Sequence, residues 1–494
     1  MKPFLLISCC ALLAGGCAIS PEPLSETELS HFAIDKRARV TADQEALHGA
    51  LTLEEAMARA LKYNLDKEVE VMSSLLAQQQ LRVAHYSLLP NLVAGSGYAD
   101  RDNYAGGSSV RIVSPTGTGE QSLTSSTSSE RDVRTSDIRF SWHVLDFGLS
   151  WIRAKQAGDK VLISEEVRRR VVNRMLENVR AAYWRAVAAT RLLRRLDRLE
   201  VRVAQALADT NSLIAKGESS PLTALTYERE LVEIQREARK LSGELSSAKA
   251  QLAALVNLDP GKPFTVAIPS KLVQPPHVAL SAENLIGLAL THRSELREVA
   301  YHQRINAREA EAAVLEMLPG LSLSSGSLWD SNRFLYNSHW ISWGAQASWN
   351  LVKVFSYPER RAEVETKDAL LDKRALAVTM AIMTQVHVAR ARLFHARREF
   401  ETARRFHDVQ SRVLDQIRSA LVAGRVSEQT AIREELNSLV ATVKRDLAFA
   451  DLQSAAAALA ASIGQTPADQ NDFRSMPLAE IRQSLATGSI ASHR

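Results

Sequence analysis

A chain of 494 residues allows about two to four domains, and its 6% aromatic content beside abundant alanine, leucine, glutamate and arginine is typical of long helices. The net charge of +5 comes from 61 basic and 56 acidic residues in mixed order, which argues against a nucleic-acid-binding face. The three cysteines are Cys9, Cys10 and Cys17, so disulfide or thiol chemistry further along the chain is excluded.

Residues 1–16 have the pattern of a secretory signal peptide. Lys2 precedes an apolar stretch from Phe4 to Leu13, and the small residues of "LLAGGCAIS" lead to Cys17. This ending resembles the lipobox of bacterial lipoproteins, in which the cysteine is diacylated and becomes the mature N-terminus. Residues 17–50 are then a lipidated extension, with a covalent lipid on Cys17 and no other cofactor. Ordinary signal cleavage nearby is the alternative.

The rest of the chain contains two copies of the same sequence pattern. "LTLEEAMARALKYN" from Leu51 matches "LSAENLIGLALTHR" from Leu280, and "LLPNL" matches "MLPGL" further on. Further along the chain, the sequence offset between the two copies becomes shorter, so that Trp142 aligns with Trp349 and Pro260 aligns with Pro467. A tandem duplication explains this pattern. We predict repeat 1 over 51–260, a linker over 261–279, repeat 2 over 280–467 and a polar tail over 468–494, packed loosely or disordered.

Each copy has the same predicted order of elements. A helix over about 51–89 (282–318 in the second copy) ends at a proline, and two strands follow. A helix of about 70 residues comes next, over 148–216 and 355–423, and a shorter helix returns. The spacing change places an insertion in the first copy, where the Ser-, Thr- and Gly-rich stretch 105–132 predicts a solvated, mobile loop.

The turns between the long helices carry capping residues. Gly217 and Gly424 suit the left-handed residue that ends a helix, and Ser220 and Ser427 suit the N-cap of the next one. Pro221 and Glu428 would begin the returning helices. Both turns are therefore predicted to be tight helical hairpins.

The four predicted strands alternate between apolar and polar residues. In the last, Ile341, Trp343 and Ala345 share one face, while Ser342, Gly344 and Gln346 share the other. This is the pattern of a membrane barrel, whose small examples need about eight strands, so the chain must assemble in a ring. Two subunits would supply eight strands and three would supply twelve. A soluble sheet with one face on a core is the alternative.

The lipobox, the duplicated plan, "WHVLDFG" before the first long helix, "VRAAYWRAVAA" within it and "LAALVNLDPG" at the end of the first copy resemble the TolC-like outer-membrane efflux protein family. The resemblance covers about Leu51 to Pro467. It implies a mainly α fold with a small β part, forming a homotrimer. Its 12-stranded outer-membrane β-barrel continues into a periplasmic α-helical barrel. It also implies docking to a periplasmic adaptor and an inner-membrane pump, either an RND-type or an ABC transporter, for efflux or type I secretion.

The same resemblance places the entrance and the adaptor-docking surface at the hairpin turns. The residues concerned are Gly217, Ser220, Pro221, Gly424, Ser427, Glu428 and Gln429. Family members often carry acidic gate residues six and nine positions after the second glycine, where this chain has Thr430 and Arg433. That gate cannot be transferred, and Arg425, Thr430 and Arg433 are the candidate replacements, through Arg425–Glu428 or Arg433–Glu434 contacts. The alternative is that these charges are ordinary solvated residues of the tip.

Motifs of catalysis are not found. The sequence has no HExxH, G-x-S-x-G, P-loop or paired-cysteine metal signature, so we expect neither an enzyme nor a bound metal. Two functions are open from the sequence: an export duct, or a lipoprotein scaffold whose coiled coils bridge membrane and cell wall. The exported substrate and the energy source of the pump are not encoded in a recognisable motif.

Overall fold

A computed structural model describes residues 21–42, 44–121, 124–215, 221–269, 272, 274–275, 280–464 and 473–491. Of the residues discussed above, those of the predicted signal peptide and Cys17, Gly217, Ser220 and Pro467 lie outside these ranges. The fold is mainly helical with a minor sheet.

Eleven helices follow in chain order within the described residues. They are α1 Glu26–Arg39, α2 Leu53–Tyr63, α3 Leu65–Tyr86, α4 Val144–Ala215, α5 Pro221–Ser246, α6 Ala248–Leu255, α7 Ala282–His292, α8 Ser294–Leu315, α9 Leu351–Val422, α10 Glu428–Ser462 and α11 Leu478–Ala491. The two longest, α4 and α9, have 72 residues each, or roughly 108 Å at 1.5 Å per residue.

Four long strands form one antiparallel sheet in the order β1-β6-β7-β8. They are β1 Asn91–Asp100, β6 Asp132–His143, β7 Gly320–Asp330 and β8 His339–Ser348. The insertion in the first copy carries four short strands, β2 Gly106–Gly107, β3 Val110–Ser114, β4 Gly117–Gln121 and β5 Ser126–Thr127, which pair as β2-β5 and β3-β4. The insertion, which was expected to be a solvated, mobile loop, therefore contains two small β-ribbons.

The two copies agree in their hydrogen bonds as well as in their elements. Each first helix breaks after 11 residues, at Asn64 and at Arg293, which both have extended backbone. Asn64 Nδ2 donates to the carbonyl of Leu255 at 3.0 Å, and Arg293 Nη1 donates to the carbonyl of Ser462 at 3.3 Å. These are equivalent positions, so the side chain at the break ties the first helix to the end of the returning helix in each copy.

The hydrophobic core follows the C-terminal half of α4. Around Tyr183, one cluster joins α4 to α2, α6 and α11, and a second joins α7, α9 and α10 around Phe449. Trp184 packs against both clusters, with its ring 4.8 Å from that of Phe449. Two further clusters, around Leu192 and Leu199, continue between α4, α5 and α10 towards the hairpin turns.

The N-terminal half of α4 contacts α8 through charged side chains. Arg153 Nη1 lies 2.5 Å from Glu309 Oε2, and Arg170 Nη1 lies 2.6 Å from Glu298 Oε2. Between them the Asp159 carboxylate, buried to 2% exposure, binds both Arg304 and Arg308. We call this series the α4–α8 ion ladder.

Two further predictions of local structure differ from the fold. The helix expected over 51–89 is two helices, because Asn64 caps the second of them by accepting from Lys67 N–H at 3.1 Å. The tail expected to pack loosely contributes to the core: in its described part, Leu478, Ile481 and Leu485 of α11 are buried with α2. The apolar spacing of these residues was the signal that identifies this helix.

Within the described residues, none of the helices combines the length and the apolar character that a membrane-crossing helix needs.

Candidate functional site

The strand-to-helix junctions are direct. The residue after His143 at the end of β6 is Val144, the first of α4, and only two residues separate β8 from α9. The Trp142 and Phe147 rings meet edge to face at 5.9 Å, and Trp349 Nε1 donates to the Met317 carbonyl at 2.9 Å. The sheet therefore lies at one end of the two long helices, and the turn after α9 lies at the other end.

The sheet has one apolar and one polar face. Its register brings together on the apolar face Leu92, Ala94, Tyr98, Ile138, Phe140, Trp142, Leu321, Leu323, Trp329, Ile341, Trp343, Ala345 and Ala347, with four serines between them, Ser96, Ser136, Ser325 and Ser327. The opposite face carries mostly serines and glycines, with Val93, Leu328 and Trp340 as its larger apolar residues. It also carries a pair of charges, Asp137 and Arg139, whose Oδ2 and Nε atoms are 2.7 Å apart.

Neither face of the sheet is covered by a core within the described chain. All ten residues of β8 are exposed, including Trp343 at 82% and Ile341 at 67%. This contradicts the alternative of a soluble sheet with one face on a core. An apolar face of this extent needs another apolar medium or partner.

The turn at the end of α9 has the geometry that its sequence predicts. Gly424 is left-handed at φ +69°, its N–H donates to the Leu421 carbonyl at 2.9 Å, and the Arg425 N–H donates to the Ala420 carbonyl at 2.9 Å. This is a Schellman motif. Ser427 then caps α10, its hydroxyl accepting from the Thr430 N–H at 3.3 Å. Glu428 is the first residue of α10, and Gln429 follows it in the same turn.

The three candidate gate residues differ in their exposure and in their contacts. Arg425 is exposed, and no ion pair joins it to Glu428 in the part of the chain that the structure describes. The Thr430 hydroxyl lies 3.1 Å from that of Ser427, so it belongs to the cap. Arg433 lies between two carboxylates, with Nη1 3.9 Å from Glu230 Oε2 and Nε 3.6 Å from Glu434 Oε1. It therefore links α10 to α5, where Pro221 is the first helical residue.

Sequence reasoning missed the acidic surroundings of Tyr227 on α5. Burial raises the pKa of its phenol, and the nearby carboxylates of Glu428, Glu230 and Asp209 raise this pKa further. The phenol is accordingly neutral at physiological pH. The contact could be found only after the two hairpins are placed side by side, because these acids come from three different helices.

Comparisons with known proteins agree with this geometry. No protein-family model matches the sequence, and no curated protein matches it. Among solved structures, the CmeC outer-membrane channel of Campylobacter jejuni has a TM-score of 0.65 at 13% identity, covering 96% of this chain and 98% of that one. The chain has the TolC-like outer-membrane channel fold.

Two other structures share this TolC-like fold. A membrane protein from Pseudomonas aeruginosa has a TM-score of 0.65 at 16% identity over 86% of this chain and 92% of that one. The open MtrE outer-membrane channel of Neisseria gonorrhoeae has a TM-score of 0.60 at 14% identity, over 87% and 96% respectively. CmeC and MtrE are described as channels rather than as enzymes.

Replacement of Gly424 by valine is expected to destabilise the hairpin of this TolC-like fold by about 1–2 kcal/mol, because a β-branched residue is strained at positive φ. The added side chain has open space, with no atom within 4 Å of its Cβ, so the cost comes from the backbone alone. Thermal unfolding followed by circular dichroism measures the loss. Asn tolerates this conformation, so Gly424→Asn should stay within about 0.5 kcal/mol, and equal losses in both variants would contradict the backbone explanation.

Proposed function

We propose that the chain is the outer-membrane duct of an export system, with three copies forming a continuous barrel and tunnel. The observation that carries the proposal is the sheet whose apolar and polar faces are both uncovered. Lipid would cover the apolar face and a water-filled lumen would hydrate the polar one. Three copies would supply twelve strands, enough for a channel, whereas two would supply eight, which side chains fill.

The strand directions support ring closure. Neighbours in β1-β6-β7-β8 are antiparallel throughout, so β8 of one copy and β1 of the next would also be antiparallel. Inside the chain, β6 of the first repeat already pairs with β7 of the second. The pairing of β8 with β1 of another copy would repeat this contact between repeats, and no unpaired edge would remain.

The helices support the same arrangement. Within the chain, α10 packs on α4, and Ile432 and Leu439 join Leu199 in a buried cluster that Ala206 also touches. The equivalent residues in the opposite repeats are Leu225 and Val232 on α5 and Phe406 and Val413 on α9. These four are 57%, 49%, 52% and 38% exposed in the single chain. We infer that α5 of one copy packs on α9 of the next, burying these side chains.

The hairpin turns are the proposed entrance and adaptor-docking surface. They lie roughly 100 Å from the sheet along α4 and α9, a distance suited to reaching across the periplasm. The proposed partners are a periplasmic adaptor and, through it, an inner-membrane pump. A lipid on Cys17 would anchor the chain to the outer membrane, and no bound cofactor is needed. Energy would come from the pump, since the duct itself performs no chemistry.

A cysteine pair tests the ring. Leu225→Cys with Val413→Cys should form disulfides between copies under mild oxidation, because the equivalent residue Ile432 is buried in the cluster of the chain against which the equivalent Ala206 packs. Covalent species of two and three copies, and none larger, are expected on denaturing gels. Each single variant is the matched control and should give no covalent trimer. A ladder beyond three copies, or no linkage at all, would contradict a closed trimer.

Photo-crosslinking in cells tests the function. A photoreactive residue at position 429, in the first turn of α10, should capture a periplasmic adaptor, and mass spectrometry would identify it. Gly424→Val should weaken both this capture and adaptor-dependent export while the trimer remains. Capture of cell-wall proteins alone, with an intact trimer, would favour the scaffold function instead.

A further inference from the structure

The residue at position 257 has an unusual backbone. Among the described residues, Asn257 is the one non-glycine with positive φ, at +56°. It directly follows the last turn of α6, and the Leu258 N–H donates to the Ala253 carbonyl at 2.8 Å. The equivalent residue of the second repeat is Gly464, at φ +72°. Both repeats therefore end their returning helix on a left-handed residue, and only the first has a side chain there.

The Asn257 amide binds the N-terminal segment. Its Nδ2 donates to the Val40 carbonyl at 2.8 Å, and the backbone carbonyl of Asn257 accepts from Gln44 Nε2 at 2.7 Å. A side chain at Gly464 could not serve in this way, because its Cβ would lie 2.9 Å from the backbone of His292. Asn257 thus carries a contact that the duplication does not explain.

The N-terminal segment is packed against the fold after this contact and exposed before it. After Val40, the Glu45 carbonyl accepts from the fully buried Arg59 at 2.8 Å, and Leu51 forms an isolated parallel β-bridge with Val266. Before it, α1 has no buried residue. This helix is stabilised from within, by a capping box between Ser25 and Glu28 and by ion pairs of Asp35. Asn257 is therefore the boundary between the fixed and the unattached parts of the N-terminal segment.

The reach of the N-terminal segment is comparable with the distance from this boundary to the sheet. Val256 packs in a cluster whose α4 residues run from Val172 to Val187, and these lie about 42–64 Å from Val144 along the helix at 1.5 Å per residue. The 14 residues of α1 span about 21 Å as a helix, and residues 17–25 can reach at most about 30 Å. The total reach from residue 40 to residue 17 is therefore at most about 50 Å.

We propose that Asn257 fastens the N-terminal segment to the tunnel, and that residues 17–40 are a spacer whose length sets the distance between this point and the lipid. The proposal rests on the proposed lipid anchor at Cys17. The helix α1 limits the reach of the spacer, so that a lipid in the membrane and the contact at Asn257 together prevent the sheet from moving outward beyond the bilayer. Asn257 is a positioning residue in this arrangement.

Two substitutions test the fastening in the purified full-length protein. Asn257→Gly accepts the left-handed backbone, as Gly464 does, and Asn257→Asp also tolerates it, but neither can donate to the Val40 carbonyl. Amide hydrogen exchange over residues 40–46 should become about 3- to 10-fold faster in both variants, as loss of one hydrogen bond predicts. Exchange in α10 should not change. Unchanged exchange over 40–46 in both variants would overturn the fastening.

A deletion tests the spacer. Without residues 26–36, the segment reaches about 40 Å even when fully extended, which is less than the distance required. The fraction of chain assembled in the outer membrane should fall several-fold. Replacement of the same residues by an alanine- and glutamate-rich helix of equal length should preserve it, and the deletion should be harmless behind a signal peptide that leaves an unlipidated N-terminus.

Mass spectrometry of the N-terminal peptide separates the two ways of failing. If the peptide carries lipid and the deletion has no effect, the spacer is overturned while the lipid anchor holds. If the peptide carries no lipid, the lipid anchor itself is wrong.

Discussion

Trp343→Lys is expected to reduce the amount of trimer in the outer membrane at least tenfold. Trp343 is 82% exposed on the apolar face of β8, which the proposed barrel presents to lipid. A lysine on the lipid face of a barrel costs about 2–4 kcal/mol near the bilayer midplane, and a threefold ring introduces it three times. Membrane fractionation followed by gel electrophoresis without heating would measure the assembled fraction.

Gln346→Lys is the matched control. Gln346 lies on the same strand but on the polar face, opposite Ser322 of β7, where the proposed lumen would hydrate the new charge. Normal assembly is expected for this variant, together with altered passage of charged solutes. If Trp343→Lys and Gln346→Lys assembled equally well, the assignment of the two faces to lipid and lumen would be wrong.

Asp159→Ala is expected to lower the free energy of unfolding by about 3 kcal/mol. Its carboxylate is 2% exposed and binds both Arg304 and Arg308 in the α4–α8 ion ladder. Removal of one partner from a buried ionic cluster typically costs about 3–5 kcal/mol, since the remaining charges lose their compensation. The lower end applies because Arg304 is 47% exposed and can be partly rehydrated. Chemical unfolding followed by the helical circular dichroism signal would measure the loss.

Glu363→Ala provides the comparison on the surface of α9. Glu363 is 66% exposed and pairs with Arg360, three residues earlier on the same helix. Exposed pairs of this kind contribute less than about 1 kcal/mol, so this variant should unfold almost as the unmodified chain does. Equal losses in Asp159→Ala and Glu363→Ala would show that the burial of Asp159 has no energetic importance.

Much of the fold was predictable because local signals and the duplication agreed. The capping residues of the second turn, Gly424 and Ser427, fix its geometry within a few residues, and the structure has the hairpin that they predict. The apolar and polar alternation of β8 predicted its two faces correctly. The channel-type fold followed from the repeat plan rather than from one motif.

Other features depend on tertiary contacts that no local signal contains. In the sequence, the three successive arginines Arg168–Arg170 indicate solvated helix surface, yet Arg170 pairs with Glu298, which lies 128 residues away. Helix α1 was missed because its stabilising contacts are short-range and polar, without an apolar face that contacts a core. At the entrance, Arg433 was considered with Glu434 alone, and its approach to Glu230 required the packing of α5 beside α10.

The ion ladder between α4 and α8 has a consequence for how a ring can hold together. In the proposed ring, the equivalent contact between copies would join α3 of one copy to α9 of the next. The residues of α3 equivalent to Glu298 and Arg304 are Val69 and Leu75, which are 61% and 42% exposed in one chain. The two repeats of one chain are covalently joined, so their effective concentration is high and a polar contact suffices. Separate copies must also overcome the loss of translational freedom, and burial of apolar surface is the stronger driving force for that association.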